Sequence, residues 1–303
     1  MATVGELLQQ AIERLRLADS PSPRLDAELL LGDAVGVGRT AVIAHPDSPV
    51  GTDAATAFER SIQRRERGEP VAYIRGLKEF RGLALHVDDR ALIPRPETEL
   101  LVELAEREVV SRLTGAPRPA GTPALRVGDI GTGSGAIGVA LISALRRRRM
   151  ANEVLVIATD VSEDALDVAR VNAVSHGVAD RMLFFAADLV PPHVDPRYAV
   201  VCANLPYVRT ADLDMFAREI GFEPRLALDG GQDGLDVIRR LLDTLRAILR
   251  PDGVALLEIG SDQADAMGEA VRQALPAWRC EVLPDLAGWP RVARILPPGS
   301  RTT

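Results

Sequence analysis

Apolar positions near the start of the chain recur at helical spacing. Leu8, Ile12 and Leu15 fall on one face of a first helix. Leu25 and Leu29, with Leu30 and Ala34, mark a second, and Phe58 and Ile62 a third. Thr52 reads as the N-cap of that third helix and Gly68 as its stop, with Gly36, Gly38, Pro46 and Pro49 punctuating the loop before it. The pattern predicts a helical domain over residues 1–75. From 76 to 97 it changes: Gly76, Gly82, Pro94 and Pro96 break up short β-like pieces such as Leu83–Val87, as a β-hairpin linker would. A helix follows from about 98 to Leu113, then a Gly/Pro-rich loop from Gly115 to Pro123.

Residues 98–303 then alternate between two periods. Leu125–Ile130, Val154–Asp160, Met182–Phe185, Ala199–Ala203 and Val254–Ile259 are short unbroken apolar runs, as strands covered on both faces require. Helical stretches lie between them at about 135–148, 162–176, 234–249 and 262–274. Ser162 is placed to cap the second of these, with Glu163 and Asp164 in its first turn and Gly177 just past its end. This alternation predicts a doubly wound α/β domain with a mostly parallel sheet. No internal repeat or low-complexity segment interrupts it.

Composition narrows the classes. The chain is 47% hydrophobic and 26% charged, the balance of a globular protein with a sizeable core. No apolar run approaches the length of a membrane span, and the N-terminal stretch MATVGELLQQAIERL does not read as a signal peptide. Cys202 and Cys280 lack a CxxC partner and sit in apolar, strand-like runs, so they read as buried structural thiols, a usage that fits the cytoplasm. His45, His86, His176 and His193 show no metal-ligand spacing, so no metal is expected. A net charge of -7 and an aromatic content of 4% count against tight nonspecific nucleic-acid binding. The runs Arg64, Arg65, Arg67 and Arg146–Arg149 read as a solvated helix face and a helix C-terminus, the first with an acidic partner surface as the alternative. Trp278 and Trp289 read as packing residues.

Two motifs carry chemistry. Asp129-Ile-Gly-Thr-Gly-Ser-Gly135 follows a strand and opens a helix, and glycines at 131, 133 and 135 let backbone amides approach a ligand. With Ala136 the stretch also fits the dinucleotide pattern G-x-G-x-x-G/A. Three acids favour a sulfonium cofactor carrying an α-amino group. Asp129 would repel a pyrophosphate at the cradle. Asp160 ends the second strand, where it can accept both ribose hydroxyls, farther on than the ~20 residues usual for a dinucleotide site. Asp188, with Leu189, follows the third strand, where an adenine amino group can be read. Turn glycines and helix-capping acids are the plain alternative.

The second motif, Ala203-Asn-Leu-Pro-Tyr-Val208, follows the fourth strand. A planar NH2 group is a poor nucleophile because its lone pair is delocalised. A site that methylates it needs two acceptors, one for each N–H, to aim that lone pair at the methyl carbon. The Asn204 side-chain oxygen can be one and the Leu205 carbonyl the other, with Pro206 fixing the turn and Tyr207 stacking on the amide plane. No strong base is needed, since the proton can leave after attack.

Further stretches are family-specific. Gly68–Gly76 (GEPVAYIRG), Glu79-Phe80 with Gly82-Leu83, Leu92–Glu99 (LIPRPETE), Glu223–Gly231 (EPRLALDGG) and Asp233-Gly234-Leu235 resemble the release-factor glutamine methyltransferase family, PrmC/HemK, over nearly the whole chain. The resemblance implies a Rossmann-like class I methyltransferase fold behind an N-terminal helical substrate-recognition domain. It implies S-adenosylmethionine as cofactor, with S-adenosylhomocysteine as product. The implied substrate is the glutamine of the Gly-Gly-Gln tripeptide in class-I peptide chain release factors, methylated at N5. Carried onto this chain, Gly131, Thr132, Gly133, Ser134, Gly135 and Asp160 would hold the cofactor, with Leu189 beside its adenine. Asn204, Leu205, Pro206 and Tyr207 would hold the glutamine amide, Asn204 also lying near the methyl group. The implied enzyme is cytoplasmic and monomeric, free of membranes and of sequence-specific nucleic acid.

One departure matters: the family pattern is Asn-Pro-Pro-Tyr, and here its second position is Leu205. Leucine supplies the same carbonyl with less rigidity. Asn-Leu-Pro-Tyr also resembles the motif of ribosomal-RNA adenine dimethylases. An adenine-N6 methyltransferase acting on a flipped base of RNA or DNA is therefore the alternative. Methylation of a ribosomal-protein glutamine and a catalytically silent binding module stand further off. The Pro-braced segment with Arg95, Glu97, Thr98 and Glu99 reads either as a wall over the cofactor or as a rigid linker and helix cap. Asp229-Gly-Gly231 reads as a turn near the site or a plain loop. Gly230-Gly231-Gln232 matches the substrate tripeptide by coincidence.

Overall fold

The structure, a computed structural model, describes residues 1–115, 121–191, 197–215 and 220–300. Residues 116–120 of the expected Gly/Pro-rich loop, and His193, lie outside the described residues. The chain divides into two compact units, one built from Met1–Leu77 and the described part of Phe216–Phe222, the other from the described residues of Lys78–Met215 and Glu223–Thr303.

In the first unit helices α1 (Val4–Leu17), α2 (Pro23–Val35), α3 (Arg39–Ala44), α4 (Thr52–Glu66) and α5 (Val71–Arg75) pack around Leu15, Leu30, Leu31, Phe58 and Ile62. Thr3 and Glu6 close a capping box at the start of α1. Four sequence expectations change here. Leu25 points to solvent, because the buried stripe of α2 runs through Ala27, Leu30 and Leu31 instead. The loop punctuated by Gly36 and Pro49 contains the short helix α3. Thr52 is the first residue of α4, and Gly51, extended at φ -65 and ψ 153, is its cap. Arg65 is not on a solvated face: it is buried, and its Nε donates to Asp26 Oδ2 at 2.7 Å. An unpartnered guanidinium could not be buried there, whereas one paired to a carboxylate can.

The second unit opens with the hairpin β1 (Leu77–Phe80) and β2 (Leu83–His86). Its turn residues Arg81 and Gly82 both have positive φ, 50 and 75, as a tight hairpin requires. Arg81 is held in that conformation by Glu99, whose side chain accepts from the Arg81 N–H at 3.1 Å. Then follow α6 (Thr98–Thr114), β3 (Leu125–Ile130), α7 (Ala136–Arg147), β4 (Val154–Asp160), α8 (Glu163–Ser175), β5 (Met182–Ala186) and β6 (Tyr198–Ala203). The unit ends with α9 (Asp236–Ile248), β7 (Leu249–Glu258), α10 (Ala264–Ala274), β8 (Arg279–Pro284) and β9 (Pro290–Leu296). Among the described residues these strands form one sheet in the order β5-β4-β3-β6-β7-β9-β8. The first five in that order run parallel, and β9 is antiparallel to both its neighbours.

Alternation along each strand splits the core into two layers. Val127, Val156, Val200, Cys202, Val254 and Leu256 face α6 and α7, while Ile130, Ile157, Val201, Ala203, Ala255 and Leu257 face α9 and α10. Both faces are covered, which is why the parallel strands read as unbroken apolar runs. Strands β8 and β9 lie beyond the five runs that the sequence pattern marks; β8 is the edge strand, half-exposed and mixed in pattern. On the turn between them Trp289 is 61% exposed, not a packing residue, whereas Trp278 packs against the α9 and α10 layer. Cys202 is fully buried and Cys280 only partly so. Arg146–Arg149 are exposed at the end of α7, as a solvated helix terminus should be. No helix among the described residues is long and apolar enough to cross a membrane.

Candidate functional site

Strands β3 and β6 lie side by side, with Ile130 opposite Ala203, and the chain winds outward from them in opposite directions. Ligands of doubly wound sheets bind at the carboxyl ends of strands at such a switch point. Here the two motifs of the sequence meet. A cavity of about 410 Å³, of a size suited to a cofactor, opens over the strand ends and is lined by Gly131, Thr132, Gly133, Ser134, Asp160, Asp188, Leu189, Asn204, Leu205 and Pro206. Arg90, Ala91, Leu92, Pro94 and Thr98 form another wall, so the Pro-braced segment does border the site. Arg95 and Glu99 turn elsewhere, to Glu223 and Arg81.

The glycine loop is a chain of left-handed residues, with φ 68 at Gly131, 54 at Gly133 and 79 at Gly135. A Cβ at Gly135 would lie 3.0 Å from the Ala169 Cβ, so this glycine lets α7 approach α8. A Cβ at Gly133 would meet nothing within 4 Å, leaving the backbone open to a ligand. Asp129 does not line the cavity; it is fully buried beneath the loop. Its Oδ2 accepts from the Thr132 hydroxyl at 2.7 Å and the Gly138 N–H at 3.0 Å, while Oδ1 is buried with no hydrogen-bond partner. Burial pushes this carboxyl up to about 6, against the pull of Thr132 and Gly138.

Asp160 ends β4 and closes the loop from the other side, its Oδ2 accepting from the Gly133 N–H at 2.9 Å and its Oδ1 from the Ser162 N–H at 3.0 Å. Burial raises its pKa, and the backbone N–H groups of Ser162 and Gly133 lower it. Each oxygen keeps a second lone pair for a hydroxyl donor. Leu189 lines the cavity at φ 66, a region costly for a branched residue, held where Thr159 Oγ1 donates to its carbonyl at 2.6 Å. Asp188 is mostly exposed and paired with Arg240.

The other half of the site is the loop after β6. Asn204 Nδ2 donates to Thr98 Oγ1 at 3.0 Å. No described residue bonds to Asn204 Oδ1 or donates to the Leu205 carbonyl. Tyr207 stands behind this wall, packed on the α9 and α10 layer, and its hydroxyl donates to Glu258 Oε1 at 3.3 Å. Glu258 ends β7 and is 0% exposed, and burial pushes its carboxyl up to about 7.

Comparison with known proteins now places the chain. Residues 6–76 match the family described as PrmC N-terminal domain. The release factor glutamine methyltransferase of Moorella thermoacetica is 40% identical over 287 residues, 94% of this chain and 95% of that protein. That of Deinococcus radiodurans is 38% identical over 289 residues, 95% of this chain and 96% of that protein. The chain belongs to the release factor glutamine methyltransferase family. Among solved structures, the hMettl16 catalytic domain in complex with MAT2A 3′UTR hairpin 6 superposes with a TM-score of 0.54 over 83% of each chain, at 16% identity, a likeness of fold alone. The sheet and its helices have the class I methyltransferase fold.

In this member of the release factor glutamine methyltransferase family the departure at Leu205 has a place in the packing. Its side chain is buried, and a Cβ at Gly131 would lie 2.8 Å from its Cδ2, so the two motifs touch through it. Asp229-Gly-Gly231 is a brace: the Gly230 N–H donates to the Val208 carbonyl at 2.8 Å, and a Cβ at Gly230 would come within 2.7 Å of the Pro206 oxygen. Two supporting residues carry no motif signal. Gln263 Nε2 donates to the Tyr207 carbonyl at 2.9 Å, and Asn172 Nδ2 to the Ser134 carbonyl at 2.8 Å. Glu258 is likewise invisible as a site residue, since it is the last residue of an apolar strand. Among the described residues no group of three or more His, Cys, Asp or Glu is placed to hold a metal.

Proposed function

We propose that the chain transfers the methyl group of S-adenosylmethionine to the N5 side-chain amide of the glutamine in the Gly-Gly-Gln tripeptide of class-I peptide chain release factors. One observation carries this reading within the family: Asn204 lines the cavity with its nitrogen end bonded to Thr98 and its oxygen end unpaired among the described residues. An NH2 acceptor needs an oxygen there.

The residues fit S-adenosylmethionine. The open side of Gly133 admits a ligand against the backbone, and Asp160 retains lone pairs for ribose hydroxyls. Leu189 offers an apolar contact for adenine. The unpartnered Oδ1 of Asp129 lies beneath the loop, where its negative potential favours a cofactor bearing ammonium and sulfonium charges over one bearing phosphates. Bound there, the cofactor supplies an electrophilic methyl group.

The chain's own residues then act by placement. Asn204 Oδ1 and the Leu205 carbonyl each accept one N–H of the glutamine amide, which turns the nitrogen lone pair toward the methyl carbon. The amide keeps its second proton until attack, then loses it to water, so no strong base is required. Orientation and exclusion of water account for most of the acceleration. Tyr207 supports the loop from behind instead of stacking on the amide. The setting implied is the cytoplasm, with a monomer acting on a release factor. The deciding assay incubates the protein with S-adenosylmethionine and a release factor, then weighs the Gly-Gly-Gln peptide by mass spectrometry. One added methyl on the glutamine is expected. An unmodified peptide, with adenine methylated in RNA or DNA, would overturn the reading.

A further inference from the structure

One stretch of the cavity wall belongs neither to the cofactor loop nor to the amide clamp. Pro224, Leu226 and Ala227 line the cavity, and Leu226, although apolar, is 63% exposed. These residues lie on the segment Glu223–Gly231, which is fastened at both ends. At the far end the backbone is the fastening: the Val208 N–H donates to the Leu228 carbonyl at 3.0 Å, and the Gly230 N–H to the Val208 carbonyl at 2.8 Å. Val208 directly follows the Asn-Leu-Pro-Tyr turn.

At the near end Pro224 has no N–H to give, and a side chain is the fastening instead. Glu223 is buried, at 6% exposure; its Oε2 accepts from the Ile93 N–H at 3.1 Å and its Oε1 from Arg95 Nη2. Ile93 sits between Leu92 and Pro94, both of which line the cavity. A carboxylate shut away from water pairs only with partners that the fold supplies, so Glu223 joins two parts of the wall that are 130 residues apart along the chain. None of these bonds involves the glycine loop or Asp160.

We propose that Glu223–Gly231 is a strap forming the docking wall for the release-factor segment that carries the glutamine, with Leu226 as its apolar contact and Glu223 as the residue that positions it. The inference rests on the methyltransferase reading and adds the surface on which the substrate lies. A glutamine that reaches Asn204 brings its flanking backbone to the rim of the same cavity. Two glycines before it carry no side chains, so that backbone can lie flush against Leu226. Leu226 then gains the burial it lacks in the free protein. Both fastenings are needed, because a segment held at one end swings and offers no defined contact.

The test measures kcat and KM for a release factor, with S-adenosylmethionine affinity by calorimetry. The variants are Leu226→Ala, Leu226→Asp, Glu223→Ala, Glu223→Gln and the double variant Glu223→Ala with Leu226→Ala, beside wild type. Wild-type methylation of the Gly-Gly-Gln peptide checks the underlying reading by itself. Given that, Leu226→Ala is expected to raise KM about tenfold, as the loss of one buried leucine contact does, with cofactor affinity held within about threefold. Leu226→Asp raises KM further. Glu223→Ala is expected to lower kcat/KM by about tenfold to a hundredfold, because a displaced wall no longer fits the substrate. Glu223→Gln, which keeps an acceptor for the Ile93 N–H, loses less. In the double variant the two losses fall short of their product, since Glu223 acts through Leu226. If Glu223→Ala does not fold, Glu223→Gln takes its place in that cycle. The proposal is overturned if both Leu226 variants keep the wild-type KM, or if the losses appear only as weakened cofactor binding. It is equally overturned if the Glu223 and Leu226 losses multiply in full, as a merely structural role for Glu223 would have them do.

Discussion

The two loops that meet over β3 and β6 are built in opposite ways. The glycine loop is closed by nearer partners: Thr132 reaches Asp129 across three residues, the Gly138 N–H across nine, Asp160 meets Gly133 across 27, and Asn172 reaches the Ser134 carbonyl across 38. The loop after β6 is held from far away, with Thr98 at 106 residues from Asn204, Gln263 at 56 and Glu258 at 51 from Tyr207. A loop that only has to bring its backbone near a ligand can be shaped by glycines and two acids. A loop that must present one chosen end of an amide needs buried partners on several sides, and those come from other elements of the fold.

The largest expected effect lies in the second loop. Asn204→Ala removes one of two acceptors for the substrate NH2, and kcat should fall on the order of a hundredfold to a thousandfold while S-adenosylmethionine affinity stays near wild type. Radiolabelled methyl transfer and calorimetry separate the two, and wild-type turnover in this variant would remove the clamp from the mechanism.

Next comes a matched pair of glycines. At Gly234, φ is 80 and a Cβ would lie 2.3 Å from the Tyr207 oxygen, so Gly234→Ala must displace the loop backbone. It should cost about 1–3 kcal/mol of stability as well as activity. At Gly133, φ is 54 and the space is open, so Gly133→Ala bears only the left-handed backbone strain, about 1 kcal/mol, and should lose cofactor affinity as well. Equal stability losses in thermal melts would erase the contrast between the loops.

The buried acid of the glycine loop makes a pH prediction. Asp129 titrates near 6 in the folded chain against 3.8 for an unperturbed carboxyl. Between those values the unfolded chain gives up the proton while the folded chain retains it, so stability falls as pH rises. Relative to Asp129→Asn, the wild type without cofactor should lose on the order of 2 kcal/mol from pH 4 to pH 7. Denaturant midpoints at the two values check this, and a constant difference would mean that the carboxyl is not desolvated. The smallest effect is at the rim. Arg240→Ala breaks an exposed pair with Asp188, and cofactor affinity should shift less than threefold.

Much of this architecture was legible in the sequence. The five apolar runs are strands because parallel strands covered on both faces admit few polar residues. Ser162 caps α8 through its side chain, which accepts from the Ala165 N–H at 3.2 Å, as its type and place foretold. Other features misled. Thr52 has a capping residue's chemistry, yet the chain extends one residue earlier, at Gly51. Arg65 looked like one of three solvated arginines because its partner, Asp26, lies 39 residues away. The β8 and β9 pair carried too little contrast between its faces to stand out.

The sequence by itself determined the alternation of strands and helices, the glycine loop and the Asn-Leu-Pro-Tyr turn, because each depends on residues within a few positions of one another. Tertiary structure alone decided that Thr98 meets Asn204, that Glu258 and Gln263 meet Tyr207, and that Leu205 meets Gly131. Those contacts exist only once β3, β6 and β7 lie side by side, and no local pattern encodes which distant hydroxyl or carboxylate will be buried against a given amide.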